Sequence, residues 1–217
     1  MWLAFGQGHN LDWIPVHELA SLLTPVTVRG ILFFHAFTGC DAVSAFRGKG
    51  KKSAWQTWDV CPEVSGVFGK LSCYPAAVHN DDIKVLEKFV VAMYDRSSSA
   101  EAVNDARLEM FARKQRPYDA IPPTRAALVQ HIKRAVYQAA SIWSQALVCQ
   151  PTVESPADWG WKKDGDIWTI FWTSLQPVAQ SCRQLTRCQC KASCHGRCKC
   201  YKFSLKCTSM CSCTCTD

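Results

Sequence analysis

Acidic residues are missing from the C-terminal quarter of this 217-residue chain: positions 167 to 216 contain no aspartate or glutamate. The same stretch carries Arg183, Arg187, Lys191, Arg197, Lys199, Lys202 and Lys206, which account for the whole formal charge of +7. A cationic footprint confined to one segment predicts a polyanionic partner, most simply nucleic acid; a merely solubilising surface is the plainer alternative. Long apolar runs are also missing. The longest, residues 31–37, is too short to span a bilayer, so no membrane partner is expected. The opening MWLAFGQGHN has no basic n-region and is broken by glycines, so it does not read as a secretory leader. An intracellular, reducing setting is therefore expected, and there clustered cysteines mean metal more often than disulfides. No G-x-S-x-G, H-E-x-x-H or P-loop occurs, which removes three common catalytic classes. An apolar content of 48% with 11% aromatics argues against disorder.

What the chain has in excess is cysteine. Five of its 14 cysteines are scattered (Cys40, Cys61, Cys73, Cys149, Cys182). The other nine crowd the tail: Cys188, Cys190, Cys194, Cys198, Cys200, Cys207, Cys211, Cys213 and Cys215. Their spacing is C-x-C-x3-C-x3-C-x-C-x6-C-x3-C-x-C-x-C. A C-x-C pair can aim two thiolates at one ion, and zinc takes four such ligands in a tetrahedron. Nine is not a multiple of four. Three zincs need twelve ligand positions, and nine thiolates fill them if three bridge two ions each. That count predicts about three Zn²⁺ in one cluster. Such a cluster carries a charge of −3, so the interleaved cations offset it and still leave the tail positive.

With a basic residue before each of two C-x-C pairs (Arg187 and Arg197), residues 186–216 resemble the tesmin-type cysteine-rich, or CXC, domain. The resemblance implies a Zn3Cys9 fold that binds DNA, and a nuclear protein. It places Arg197 where the family inserts a residue into the minor groove, with Lys191, Lys199 and Lys202 as phosphate contacts. The last spacing is C-x-C where the family usually has C-x-x-C. A zinc knot that only folds the tail is the competing role.

A second stretch, HAFTGCDAVSAFRGKGKKSAW, sets Gly39-Cys40-Asp41 after an expected buried strand, RGILFFHAF. Gly48 and Gly50 alternate with Lys49, Lys51 and Lys52, a composition suited to phosphate contact. Residues 30–55 resemble the part of flap-endonuclease-like (PIN-superfamily) nucleases that follows their main acidic cluster. By that likeness Asp41 is a divalent-metal ligand and residues 48–52 a backbone clamp; a helix N-cap is the other role for Asp41. Two-metal phosphodiester hydrolysis needs several carboxylates around its Mg²⁺ or Mn²⁺ ions, and upstream there are only Asp12 and Glu18. The nuclease-like piece is thus incomplete and expected to be inactive by itself, unless an upstream segment or a partner chain completes it. The whole combination resembles uncharacterised multicopy animal proteins associated with mobile elements.

The expected architecture is α+β and mostly α: a truncated α/β piece over 1–80, a helical region over 81–150, a Trp-rich hairpin and connector over 151–181, and an irregular zinc-cluster domain over 182–217. DIKVLEKFVVAMY places Leu86, Phe89, Val90 and Met93 on one helical stripe. Ser98 and Glu101 stand at capping-box spacing. Thr124 is an N-cap candidate for a helix whose stripe is Leu128, Ile132, Val136, Ala139, Trp143 and Leu147; Arg125, Lys133 and Arg134 read as its solvated face. Asp164-Gly165 between aromatic runs signals a hairpin. The functional reading is a zinc-dependent DNA-binding protein attached to an incomplete nuclease-like domain. The alternatives are a structure-specific, metal-dependent nuclease whose other acids lie elsewhere, and an interaction scaffold with a structural zinc knot.

Overall fold

The computed structural model describes residues 1–112, 116, 117 and 120–175, and in the tail Cys190, Cys200, Cys207, Cys211 and Cys213. Two compact units emerge, Met1–Ser174 and Leu175–Asp217. The first is mostly helical with two small antiparallel sheets of two strands each.

The chain opens on a hairpin of β1 (Trp2–Gln7) and β2 (Asn10–Pro15), registered Trp2 to Pro15 and Gln7 to Asn10. Among the described residues seven α-helices follow: α1 (Val16–Leu22), α2 (Pro25–Phe37), α3 (Lys51–Trp58), α4 (Val64–Leu71), α5 (Asn80–Tyr94), α6 (Val103–Ala112) and α7 (Arg125–Val136). A π-helical turn (Tyr137–Ile142) and a 3-10 turn (Trp143–Gln145) continue α7. The unit ends on a second hairpin, β3 (Trp161–Asp164) with β4 (Ile167–Ile170), turning at the Asp164-Gly165 signal. Among the described residues, no single helix is long and apolar enough to cross a membrane.

The expected strand at RGILFFHAF is instead the second half of α2. Thr24 caps it, accepting a hydrogen bond from the Thr27 amide at 3.2 Å, and Pro25 occupies the first turn, where its missing N–H costs nothing. Gly30, Phe33, Phe34 and Phe37 are buried at i, i+3, i+4 and i+7, the spacing of one helical face. Phe33 and Phe37 stack with centroids 5.3 Å apart, and Phe68 of α4 lies 5.6 Å from Phe33. Gly30 permits this approach: a Cβ there would lie 2.8 Å from the Phe68 Cβ.

One apolar core runs from α2 through Ala140, with Trp159 packed against it. Leu86, Phe89, Val90 and Met93 are all buried in α5 as the stripe required. Thr124 caps α7 by accepting from the Ala127 amide at 3.3 Å, and Leu128, Ile132, Val136 and Ala139 are buried. Three expectations are corrected. Leu147 is 98% exposed, because the π and 3-10 turns break the 3.6-residue phase after Val136. Helix α6 starts at Val103, since Ser98 is drawn away: its hydroxyl donates to Glu109 Oε2 at 3.1 Å and accepts from the Ala100 amide. Arg134 is only 2% exposed rather than solvated. Its Nη1 donates to the carbonyls of Gly160 (3.2 Å) and Phe171 (2.9 Å), so the second hairpin covers it.

Candidate metal centre

Three thiols gather in the tail. The Sγ atoms of Cys200, Cys207 and Cys211 all lie within 4.8 Å of one another. Cys200 and Cys211 are 3.8 Å apart, nearly twice the S–S bond of about 2.05 Å. Two thiolates at the ~2.3 Å zinc–sulfur distance and the tetrahedral angle stand about 3.8 Å apart, which is the edge of the coordination tetrahedron. Cys200 is fully buried and Cys213 nearly so, and Cys190, Cys207 and Cys211 pack against them. The sequence favours this gathering because nine cysteines crowd positions 188 to 215 and no acidic group there competes for the cations. Burial alone opposes the thiolate form, and only a cation held among the sulfurs reverses that balance. A soft, partly buried donor set with one pair at the tetrahedral edge length therefore fits zinc: three cysteines near each other can hold one ion. Among the described residues no other group of three or more His, Cys, Asp or Glu ligand atoms comes this close together.

Of the nine predicted ligands, Cys190, Cys200, Cys207, Cys211 and Cys213 are described, and three of them converge. Cys188, Cys194, Cys198 and Cys215 lie outside the described residues, as do Lys191, Arg197, Lys199 and Lys202.

Asp41 sits in a turn after a helix, not at the end of a strand, and caps no helix: α3 begins ten residues on, with Gly50 in the cap position. The turn is closed by paired backbone bonds between Cys40 and Val43, 3.0 and 3.2 Å, and by Gly39 at φ 105°. Asp41 lines a shallow cleft of about 390 Å³ with His35, Cys40, Lys51 and Trp143, and it is the single carboxylate there among the described residues. Asp12 and Glu18 lie far back in the N-terminal hairpin and α1, both exposed. The three clamp lysines have separate fates. Lys51 Nζ donates to the His35 carbonyl (3.0 Å), the Thr38 hydroxyl (3.2 Å) and the Gly39 carbonyl, so it serves the orphan acceptors at the C-terminus of α2. Burial lowers its pKa, and burial with the Lys51 charge also holds His35 below its ordinary range. Lys49 lies 5.3 Å over the Tyr94 ring. Lys52 is exposed.

A polar pair that the sequence did not announce joins the same loop to α7. His131 Nε2 is 2.8 Å from the Phe37 carbonyl, which can only accept, so Nε2 carries the proton. Nδ1 then accepts from the Ser44 hydroxyl at 2.9 Å. Burial, and secondarily the Arg134 charge, push the His131 pKa down to about 4. With no carboxylate hydrogen-bonded to it among the described residues, this pair makes a weak general base and serves as a tie across 87 residues of sequence. The one available signal was that position 131 falls three residues after Leu128, on the buried face of α7.

The chain is thus defined as a mostly helical unit accompanied by a thiol-rich module able to ligate a metal. No family model, curated protein or solved structure matches it.

Proposed function

We propose that this chain is a zinc-dependent DNA-binding protein. Its tail holds about three Zn²⁺ through the nine cysteines and presents Arg197, with Lys191, Lys199 and Lys202, to the duplex. The observation that carries the reading is the convergence of Cys200, Cys207 and Cys211 within 4.8 Å of one another, with Cys200 and Cys211 at 3.8 Å. It is supported by the acid-free, +7 composition of the surrounding segment. Thiolates spread over 28 residues can close a compact knot around shared cations, and the interleaved lysines and arginines supply positive charge for phosphate. The zinc supplies folding energy and no chemistry. The helical unit is read as an incomplete nuclease-like domain, inactive in this chain because Asp41 has too few acidic companions to hold two metal ions. A nuclear location follows from the DNA-binding reading.

The test is metal analysis by native mass spectrometry, followed by fluorescence anisotropy on A·T-rich and G·C-rich duplexes. About three zincs and chelator-sensitive binding are expected. Neutralising about four phosphates predicts a log–log salt slope near −3.6. Arg197→Ala should flatten the preference between duplexes and leave zinc content intact, while Lys199→Ala should weaken all sequences alike. If Arg197→Ala changes neither affinity nor preference, the tail is a structural knot and the scaffold reading replaces this one.

One observation favours a second reading, a nuclease completed by an upstream segment or a partner chain. Every residue of β1 is exposed, including Trp2, Leu3 and Phe5, and Trp13 of β2 is exposed as well. Under that reading the completed assembly cleaves flap DNA in Mg²⁺ or Mn²⁺, and Asp41→Asn abolishes the cleavage.

A further inference from the structure

The helical unit contains a second cleft, remote in sequence from the tail cysteines and lined by arginines from three parts of the chain. It encloses about 350 Å³, at the small end of the range for small-molecule sites. Arg47 comes from the loop before α3, Arg107 from α6 and Arg134 from α7. Phe46, Tyr94 and Trp172 supply aromatic wall, and no Asp or Glu lines the cleft among the described residues.

Arg134 is the informative member. It is buried, it is paired with no carboxylate among the described residues, and its two described hydrogen bonds go to neutral carbonyls. Its Nε has no hydrogen-bond partner among the described residues. Taking a guanidinium out of water without a counter-charge is strongly unfavourable, and buried arginines are ordinarily paired. Arg107 is half-buried, with Nη1 donating to the Pro122 carbonyl, again a neutral acceptor. Two guanidiniums held only by neutral carbonyls among the described residues suit a dianion, and guanidinium forks match phosphate oxygens two at a time. Trp172 adds a flat surface: its ring lies 5.5 Å from Arg134 Cζ, and it remains 58% exposed. An aromatic ring accessible beside a phosphate-sized cationic wall suits a planar base.

We propose that this cleft binds a phosphate-bearing ligand of mononucleotide size, the phosphate against Arg47, Arg107 and Arg134 and the planar base against Trp172. The ligand is a free nucleotide or the phosphorylated end of a nucleic-acid strand. This inference is independent of the zinc tail.

The experiment is calorimetric titration of the full zinc-loaded chain with AMP, adenosine, inorganic phosphate, and a dinucleotide with or without a 5′-phosphate. AMP binds, and adenosine binds at least about tenfold more weakly. A phosphorylated dinucleotide that matches AMP assigns the strand end; one that fails to bind while AMP binds assigns the free nucleotide. Arg107→Gln and, at an exposed position, Arg47→Gln each weaken AMP about tenfold, with circular dichroism unchanged. Trp172→Ala weakens AMP and leaves inorganic phosphate untouched. The proposal fails if AMP does not bind or adenosine binds equally well. It fails equally if both arginine variants bind AMP like the parent, because the ligand then sits on the cationic tail.

Discussion

In the helical unit the largest buried side chains are Phe33, Phe37, Phe68, Phe89, Leu71, Leu86 and the exceptional Arg134; in the tail the buried described side chains are Cys200 and Cys213. The first unit removes apolar area from water, at about 1.5–3 kcal/mol per fully buried large side chain. The tail from Cys182 onward has only Leu185, Tyr201, Phe203, Leu205 and Met210 as large apolar residues besides cysteine. That is too little to offset the chain entropy of ordering some 36 residues, at about 1–2 kcal/mol each for the backbone alone. The difference teaches that one chain can use two unlike sources of order, and that they should fail under different conditions.

Metal removal should separate them most widely. Structural zinc contributes about 10–16 kcal/mol in small thiolate modules, so chelation is expected to unfold the tail and leave the helical unit standing. Reactivity of the tail thiols toward a disulfide reagent should rise from slow to immediate, with helical circular dichroism preserved. Equal thiol reactivity with and without chelator would erase the distinction. The converse is a cut into the apolar core. Phe68 contacts Phe33, Phe34, Trp58 and Phe89, and Phe68→Ala should cost about 3–5 kcal/mol in urea unfolding. Zinc content measured on the native variant should not change.

Acid sharpens the contrast further. His131 has a pKa of about 4 in the folded unit, against the 6.5 usual for histidine. Between those values the unfolded chain binds a proton that the native one refuses, so stability falls as pH drops through that window and is complete above it. The loss by pH 4 is about 3 kcal/mol. Urea midpoints taken across pH 7 to 4 should show it, and His131→Gln, which can still donate to the Phe37 carbonyl, should flatten the slope. The smallest effect is local. Thr124→Ala removes the cap on α7 and should cost about 1 kcal/mol, seen as a lower urea midpoint, with the thiol reactivity of the tail unaltered.

Helices α5 and α7, the Thr124 cap and the Asp164-Gly165 turn were legible in the sequence because each rests on contacts within four residues or fewer. Helix α2 was legible too, through Thr24-Pro25 and the 30-33-34-37 spacing, but the dense run of aromatics imitates a buried strand. The role of Lys51 was hidden, since its partners His35, Thr38 and Gly39 become neighbours only when the loop of residues 38–50 folds back. Of the candidate metal centre, the ligand type and the crowding could be read directly. Which thiols meet could not, because Cys200 and Cys207 are separated by six residues whose path the spacing does not specify.

By itself the sequence determined the soft donor set, its count, the absence of acid around it and the periods of the long helices, all of which are local or compositional properties. Only the tertiary structure decided that Arg134, on paper a solvated cation, is buried. Its partners are the carbonyls of Gly160 and Phe171, 26 and 37 residues away. It likewise decided that Arg47 and Arg107 line the same cleft. Charge in a protein interior is set by what long-range folding places around it, and no pattern of neighbours along the chain records that.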